Sequence, residues 1–277
     1  MKIVLTGAKG MLGSDVDALA RARHEVTATD KEELDITKAD ATRRFFAENE
    51  ADVIINCAAY TDVDGCEADR DNAYLLNAVG PRNLAAAASE IGAALVHIST
   101  DYIFDGAKGS PYREDDAPNP ISVYGATKLA GERFVQGLTG KHYIVRTQWL
   151  FGENGGNFVD TMLKLAKVKD SLSVVNDQFG SPTYARDLAA AIVALIQRPA
   201  YGVYHITNGG VVSWYDFARE IFRQAGVKAT VTPCTTAEFP RPARRPAYGA
   251  LENRRWKANG HPPLRPFGEA LADYLKI

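Results

Sequence analysis

A glycine-rich loop directly after a short apolar strand is the feature that most constrains the fold of this chain. The strand is predicted over residues 3–6, and the loop Gly7-Ala8-Lys9-Gly10-Met11-Leu12-Gly13 opens the first helix. In this context Gly7 permits a tight turn, Gly10 lets the backbone approach a pyrophosphate, and Gly13 lets helix and strand pack closely. The helix N-terminus adds amide donors and partial positive charge. The pattern favours a dinucleotide-binding unit over an ordinary glycine-rich turn.

Short apolar runs alternate with amphipathic stretches as far as residue 150. These runs lack strict polar alternation, as expected of strands that are covered on both faces. Alternating strands and helices imply a parallel sheet with right-handed crossovers. The predicted fold is therefore α/β, a Rossmann-type doubly wound parallel sheet with a smaller C-terminal substrate domain. Strands are predicted over residues 3–6, 25–29, 53–57, 94–99 and 143–147, and helices over 11–21, 38–48, 71–91 and 123–136.

The regularity declines after residue 150, which suggests a division of the chain. We expect a dinucleotide-binding Rossmann domain over 1–150, which also receives strands and a helix from about 172–206. Residues 151–277 are expected to form mainly a substrate-binding domain. The predicted elements of this part are helices over 157–167, 184–197, 213–225 and 267–275, and short strands over 172–175 and 203–206 that rejoin the sheet.

Composition excludes several classes of protein. The net charge of -2 argues against a nucleic-acid or membrane-surface role. No apolar run approaches the roughly 20 residues of a membrane span, and the N-terminus lacks the pattern of a signal peptide, so a cytoplasmic location is expected. Cys57, Cys66 and Cys234 are widely spaced, which favours free thiols over a zinc site.

The second predicted strand ends in residues suited to an adenosine. Asp30 lies where an acidic side chain meets the ribose, and it would favour the free 2′-hydroxyl of NAD. Lys31 and Lys9 could instead meet the 2′-phosphate of NADP, or be plain solvated charges. Asp35 and Ile36 could cover the adenine. The choice between NADPH and NADH therefore stays open.

A tyrosine and a lysine in the run Tyr124-Gly125-Ala126-Thr127-Lys128 lie one turn apart on one helical face. An ammonium beside a phenol favours the phenolate and so lowers the pKa of the phenol. Lowering the pKa of Tyr124 from ~10 to near ~7 would require ~4 kcal/mol of differential stabilisation. Such a pair is common on solvated helices. Here Thr100 ends a predicted strand, and the small Ala58 and Ala59 follow another, so their carboxyl ends converge on one crevice. Together they indicate a hydride-transfer site.

Several longer stretches resemble the extended short-chain dehydrogenase/reductase superfamily and, within it, the family of dTDP-4-dehydrorhamnose reductases. The resemblance covers nearly the whole chain, including the expected substrate domain. Its matching stretches are Gly7 to Gly13, Cys57-Ala58-Ala59-Tyr60-Thr61-Asp62-Val63-Asp64, Ser99-Thr100-Asp101-Tyr102-Ile103-Phe104-Asp105-Gly106, Tyr124-Gly125-Ala126-Thr127-Lys128-Leu129-Ala130-Gly131-Glu132, Arg146-Thr147-Gln148-Trp149, Asn176-Asp177-Gln178-Phe179-Gly180-Ser181-Pro182-Thr183 and Pro242-Ala243-Arg244-Arg245-Pro246.

The resemblance implies a role for each matching position. Tyr124 would donate a proton, Lys128 would hold the nicotinamide ribose and tune Tyr124, and Thr100 would hydrogen-bond the substrate oxygen. Arginines near Pro242, represented by Arg244, would meet the nucleotide pyrophosphate, unless they form a solvated basic loop. The expected cofactor contacts are Gly7, Gly10, Met11, Leu12, Asp30, Lys31, Asp35, Ile36, Ala58, Ala59, Tyr60, Thr61, Tyr124 and Lys128. The expected substrate contacts are Val63, Thr100, Asp101, Tyr102, Trp149 and Arg244.

The implied reaction is reduction, by NADPH or NADH, of the C4 ketone of a nucleotide sugar. Some members of the family pair through magnesium at a dimer interface. Asp15 is present here, but Arg186 stands where a carboxylate would be expected. We therefore predict no metal site, and a homodimer stays open.

Three competing functions make different demands on the site. A sugar-nucleotide dehydratase needs a second carboxylate after the threonine, but Asp101 is followed by Tyr102. An epimerase would retain its dinucleotide tightly. A non-catalytic regulatory subunit of the methionine-adenosyltransferase type would have no use for an intact Thr100, Tyr124 and Lys128.

Overall fold

The computed structural model describes residues 1–276, and a six-stranded parallel sheet forms its centre. The strands in chain order are β1 (Lys2–Thr6), β2 (Glu25–Thr29), β3 (Val53–Asn56), β4 (Ala94–Thr100), β5 (His142–Thr147), β6 (Leu150–Phe151), β7 (Ser171–Val175), β8 (Phe179–Gly180), β9 (Thr183–Tyr184), β10 (Gly202–His205), β11 (Val212–Ser213) and β12 (Thr230–Cys234). The central order is β10-β5-β4-β3-β1-β2. Because β2 and β3 flank β1 on opposite sides, the chain reverses direction there and leaves a crevice beyond the strand ends.

Helices cover both faces of this sheet. They are α1 (Met11–Ala20), α2 (Ala39–Glu48), α3 (Val63–Ala68), α4 (Arg70–Tyr74), α5 (Gly80–Ile91), α6 (Val123–Leu138), α7 (Phe158–Ala166), α8 (Ala185–Leu195), α9 (Trp214–Gln224), α10 (Arg254–Ala258) and α11 (Phe267–Leu275), with a π-helical turn at Leu75–Val79 and a 3₁₀ turn at Asp101–Ile103. Ile3 and Leu5 point into a core with α1 and α8, whereas Val4 and Ile54 point into one with α2 and α5. The predicted doubly wound α/β fold is confirmed.

A second apolar cluster is built from the later part of the chain. Phe151, Val174, Phe217 and Leu271 are buried in it, and α7, α9 and α11 pack around the small β7–β12 sheet. This cluster forms a core of its own, apart from the central sheet. The boundaries given above for the two domains stay predictions.

One predicted strand joins a different sheet from the one expected. The prediction that residues 172–175 return to the central sheet is wrong, because β7 pairs in parallel with β12. The strand β12 itself was not predicted. A short apolar run fits either sheet by pattern, and only the path of the chain selects its partner. Residues 203–206 do rejoin the centre, since β10 pairs with β5.

The long helix predicted over 71–91 is interrupted by the π-helical turn. Within that turn the Asn77 side chain bonds the Tyr60 backbone, accepting from its N–H at 2.8 Å and donating to its carbonyl at 3.0 Å. It also donates to the Thr127 hydroxyl at 3.2 Å. A π turn often marks a functional site, and this one fixes the segment that leaves β3. The short helices α3 and α10 were not predicted either.

Among residues 1–276, none of the helices combines the length and apolarity that a membrane crossing requires.

Candidate active site

The crevice beyond the strand ends holds three connected lobes. We name them the Asp30 lobe, of about 410 Å³, the Tyr124 lobe, of about 450 Å³, and the Phe239 lobe, of about 400 Å³. Gly10, Cys57 and Ala59 line both the Asp30 and the Tyr124 lobes. Trp214 lines both the Tyr124 and the Phe239 lobes. The lobes therefore adjoin one another, and we call the row of lobes from Asp30 past Tyr124 to Phe239 the groove.

Most of the residues predicted from sequence line this groove. Their individual roles stay predictions. The Asp30 lobe is lined by Gly7, Gly10, Asp30, Lys31, Asp35, Ile36, Ala58 and Ala59. The Tyr124 lobe is lined by Gly10, Met11, Leu12, Ala59, Thr61, Val63, Thr100, Asp101, Tyr102, Tyr124, Lys128 and Trp149.

The glycine loop has the geometry that its sequence predicts. Gly7 has φ +70, and a Cβ there would lie 2.6 Å from the backbone nitrogen of Ala58. A Cβ on Gly13 would lie 2.1 Å from the Gly7 carbonyl oxygen, so Gly13 packs on the loop rather than on β1. Gly10 is the N-cap of α1 and offers no side chain to the first amides. Those donors face the shared part of the two lobes and fit a diphosphate.

The Asp30 side chain organises the adenosine end of the groove. Its carboxylate accepts from the backbone N–H of Lys9 at 3.1 Å and of Lys31 at 2.8 Å. The Lys9 ammonium pairs with Glu32 at 3.1 Å on the surface, whereas Lys31 makes no ion pair within residues 1–276. Lys31 is thus the better placed of the two lysines for a 2′-phosphate.

The central side chains of the Tyr124 lobe come from two adjacent elements. Thr100 ends β4, and Tyr124 and Lys128 lie on α6, whose first turn is capped by the Ser122 hydroxyl accepting from Gly125 N at 3.2 Å. A Cβ on Gly125 would lie 2.0 Å from the Tyr102 carbonyl oxygen. Glycine therefore lets α6 approach the 3₁₀ turn that follows β4, which brings Tyr124 beside Thr100.

Burial dominates the electrostatics of this lobe. It raises the pKa of Tyr124, and a hydrogen bond with Thr100 only partly opposes that rise. The Lys128 ammonium donates to the Ile98 carbonyl oxygen at 2.5 Å. The expectation that the pKa of Tyr124 falls from its usual value toward 7 is wrong for this structure, because desolvation outweighs the opposing influences. Tyr124 is a neutral phenol near pH 7 and has a proton to donate.

Lys128 is expected to set an alkaline limit on turnover. Burial lowers its pKa to about 8, against the opposing field of Glu132. Because the ammonium loses its charge as pH rises through that value, kcat/KM should fall above about pH 8. The raised pKa of Tyr124 places the phenol outside this range. Steady-state rates at constant ionic strength from about pH 6 to about pH 10, a range that brackets the pKa of Lys128, would measure this alkaline limb of the rate profile.

Arginine keeps its charge throughout that range. Lys128→Arg should therefore retain a reduced rate without the limb near pH 8. Asp101, whose pKa burial raises to about 7, titrates lower, so Asp101→Asn should leave the limb in place. An unchanged limb in Lys128→Arg would assign it to another group.

Two aromatic side chains form the wall of the lobe that faces the later part of the chain. Trp149 has φ +48 and stacks on Trp214, with ring centroids 3.5 Å apart and planes at 12°. Trp214 is the first residue of α9, and sequence analysis missed it. The only sequence evidence that points to Trp214 is its position directly after Ser213, which caps α9, and that evidence is weak. The pair presents an apolar surface on which a sugar ring can pack.

Two predicted contacts are not at the groove. Tyr60 is absent from the lining of the lobes within residues 1–276, and Asn77 holds its backbone. Arg244, the arginine chosen from sequence, is exposed and makes no hydrogen bond or ion pair in that part of the chain. Arg241 and Arg245 line the Phe239 lobe instead. Neighbouring arginines in an irregular segment carry no pattern that separates them.

The two residues considered above for a metal site, Asp15 and Arg186, carry opposite charges. Burial raises the pKa of Asp15, and Arg186 opposes that rise. The helices that carry them, α1 and α8, pack together. The absence of a metal site stays a prediction.

Comparisons with known proteins agree on one family. A family model described as the RmlD substrate binding domain matches residues 1–277. A solved dTDP-4-dehydrorhamnose reductase of Clostridium acetobutylicum ATCC 824 is 50% identical, with TM-score 0.98 over 100% of this chain and 99% of that one. The Bacillus anthracis enzyme of the same name, solved in complex with NADP, is 43% identical, with TM-score 0.97 over 99% and 98%. The Bacillus subtilis spore coat polysaccharide biosynthesis protein SpsK is 43% identical over 99% of this chain and 97% of its own.

Proposed function

Because the chain belongs to the RmlD substrate-binding-domain family, we propose that it reduces the C4 ketone of dTDP-4-dehydro-β-L-rhamnose to dTDP-β-L-rhamnose. The reductant is NADPH or NADH, and the reaction completes dTDP-rhamnose biosynthesis. The observation that carries this proposal is the row of adjoining lobes, in which the Tyr124 lobe lies between a lobe suited to a dinucleotide and an arginine-lined lobe.

The residues of the Asp30 and Tyr124 lobes fit a reduced dinucleotide. Asp30 would meet the adenosine ribose, and the uncapped start of α1 would hold the diphosphate. When bound, the dinucleotide supplies a hydride to the carbonyl carbon of the sugar. The similar Bacillus anthracis protein was solved with NADP, and the unpaired Lys31 supports acceptance of the 2′-phosphate. The preference between NADPH and NADH stays open.

Protonation of the carbonyl oxygen is the task of the protein. Tyr124 is a neutral phenol in a desolvated lobe, so it can donate its proton to an oxygen that becomes negatively charged. The Thr100 hydroxyl beside it would hold that oxygen in place. Lys128, buried one helical turn away, would stabilise the phenolate with its positive charge.

The Phe239 lobe provides a site for the nucleotide half of the substrate. Its walls include the apolar Phe158, Met162 and Trp214, and its rim carries Arg241 and Arg245. An apolar slot suits a pyrimidine base, and two guanidinium groups suit a diphosphate. We therefore assign the diphosphate contact to Arg241 and Arg245 in place of Arg244.

The competing functions lack support at the site. A dehydratase would require a carboxylate where Tyr102 lies, and this tyrosine instead packs edge-on against Tyr124 with ring centroids 5.4 Å apart. A binding module for a partner protein would not require a buried proton donor. Thr100, Tyr124 and Lys128 are all buried in the Tyr124 lobe.

Initial rates with the purified keto sugar test the proposal directly. We expect oxidation of NADPH, or of NADH, that depends on the sugar and forms dTDP-β-L-rhamnose in equal amount. The matched control is the same sugar without protein. Binding of the dinucleotide without turnover, together with capture of an adenosyltransferase, would favour the regulatory-subunit alternative. A tightly retained dinucleotide that does not exchange would favour an epimerase.

Two expectations about the working protein rest on sequence and remain proposals. A cytoplasmic location agrees with the free cysteines Cys57, Cys66 and Cys234, which suit a reducing compartment. A homodimer stays open, and light scattering coupled to size-exclusion chromatography would decide it.

A further inference from the structure

The Asp64 carboxylate gathers the second half of the irregular segment that borders the Phe239 lobe. We call residues 235–246 the arginine strap. Asp64, on α3, accepts from Arg241 Nε at 2.8 Å and from its Nη2, from Arg245 Nη1 at 3.1 Å and Nη2 at 3.0 Å, and from the Ala243 N–H at 3.0 Å. These five hydrogen bonds join segments about 180 positions apart in sequence. They connect α3 to the segment that borders the Phe239 lobe.

The charges at this junction require the carboxylate. Two guanidinium groups brought together repel each other, and one carboxylate between them leaves a net charge of +1. Although burial acts to raise it, hydrogen bonds from Arg245, the Ala243 N–H and Arg241 hold the pKa of Asp64 well below its usual range. The carboxylate is therefore ionised throughout neutral pH. Within residues 1–276, it is also the one carboxylate paired with either arginine.

The same junction reaches the catalytic tyrosine. Arg245 also acts on Tyr102, because its positive charge opposes the rise that burial causes in the pKa of the Tyr102 hydroxyl. Tyr102 in turn packs edge-on against Tyr124. Val63, the residue before Asp64, lines the Tyr124 lobe. A displacement of the arginine strap would thus move groups in both the Phe239 lobe and the Tyr124 lobe.

We propose that Asp64 is a positioning residue that clamps the arginine strap over the groove and holds Arg241 and Arg245 together as a preassembled site for the substrate diphosphate. This inference rests on the proposed function for the identity of the ligand. Asp64 itself touches neither the cofactor nor the reacting atoms in this assignment. It acts through the two guanidinium groups and the Ala243 backbone.

Preassembly is favoured over competition between Asp64 and the diphosphate. The Arg241 side chain is 49% exposed and uses Nε and Nη2 on Asp64, so its Nη1 donors remain for a ligand. Arg245 uses Nη1 and Nη2 on Asp64 and keeps its position through a 2.9 Å bond to the Ala243 carbonyl oxygen. A diphosphate can therefore bind the outer donors while the carboxylate holds the inner ones.

Replacement of Asp64 should affect substrate binding more than turnover. We expect Asp64→Ala to raise the KM for the keto sugar about tenfold or more and to change kcat less than about threefold. The KM for NADPH should stay unchanged. Asp64→Asn keeps an acceptor for the Ala243 N–H but not the charge, so its KM should be intermediate. Asp71→Ala, an equal charge change on the exposed surface of α4, is the matched control.

A second measurement tests the clamp without using the substrate. Hydrogen exchange, read by mass spectrometry on peptides covering 235–246, should be faster in Asp64→Ala than in the native chain and in Asp71→Ala. Exchange in the peptides of β1 and β4 should be unchanged, which also shows that the variant is folded. Equal exchange of the strap in all three proteins would overturn the clamp.

The outcomes separate the two proposals. If the native chain does not reduce the dTDP keto sugar, the proposed function fails, and the strap exchange still tests the clamp. If the native chain is active and Asp64→Ala has an unchanged or lower KM, the preassembled site is wrong and competition is the better account. A loss confined to kcat would likewise overturn it.

Discussion

Replacing Tyr124 by phenylalanine should lower kcat about 10³-fold while dinucleotide binding stays near its native strength. General acid catalysis contributes a factor of this order. The change removes one hydroxyl from a side chain that is 9% exposed, so the ring still fills its place. Steady-state rates with the keto sugar and fluorescence titration with NADPH measure the two quantities.

A neighbouring tyrosine provides the control for that result. Tyr102 lies in the same lobe, with its ring centroid 5.4 Å from that of Tyr124, but its hydroxyl is under the influence of the Arg245 charge. Tyr102→Phe should therefore reduce kcat less than about tenfold. Near-native turnover in Tyr124→Phe, or equal losses in the two variants, would remove Tyr124 from the role of proton donor.

Replacing Arg146 by alanine is the change expected to destabilise the fold most. Arg146 Nη2 donates to Glu132 at 2.7 Å and Nε donates at 3.0 Å, and the two side chains are 5% and 1% exposed. Removal of the cation leaves a buried carboxylate with the Ser99 hydroxyl at 2.5 Å as its main partner. We expect the free energy of unfolding to fall by about 3–5 kcal/mol. Urea titration followed by circular dichroism and tryptophan fluorescence measures the change.

The buried pair can be distinguished from an ordinary loss of contacts. The double variant Glu132→Leu with Arg146→Met should lose less stability than Arg146→Ala alone, because no unpaired charge remains. Arg223→Ala breaks an exposed pair with Glu220 and should change stability little. Additive losses in the double variant would show that the ion pair itself is not the cause.

The buried pair also bears on the active site. Glu132 lies one turn beyond Lys128 on α6, and its charge raises the pKa of that lysine against the effect of burial. Loss of the carboxylate should therefore move the alkaline limb of the rate profile to lower pH. The buried pair and the Lys128 ammonium are thus linked through a single carboxylate.

Much of the site was predictable because the fold is made of repeating local units. The glycine loop needs only neighbouring residues to form its turn, as the positive φ of Gly7 shows. Thr100 and Ala59 could be assigned to one crevice, since the carboxyl ends of parallel strands meet at one edge. The i, i+4 spacing was enough to place Tyr124 and Lys128 on one face of α6.

The later part of the chain was less predictable because its contacts are distant in sequence. The residue pattern at 172–175 does not identify β12 as the strand with which it pairs. Arg244 and Arg245 are adjacent and chemically identical, yet only Arg245 reaches Asp64. The stacking of Trp149 on Trp214 likewise joins segments that pattern analysis treats separately.

Residue order along the chain was sufficient for the doubly wound sheet, the glycine loop and the set of side chains at the strand ends, because turn sterics, periodicity and helical spacing act over a few residues. The packing of distant segments determined the protonation of Tyr124, the hydrogen bond from Lys128 to Ile98 and the arginines that border the groove. Burial and pairing between segments distant in sequence arise only when the chain folds, and they outweigh the influence of neighbours in sequence.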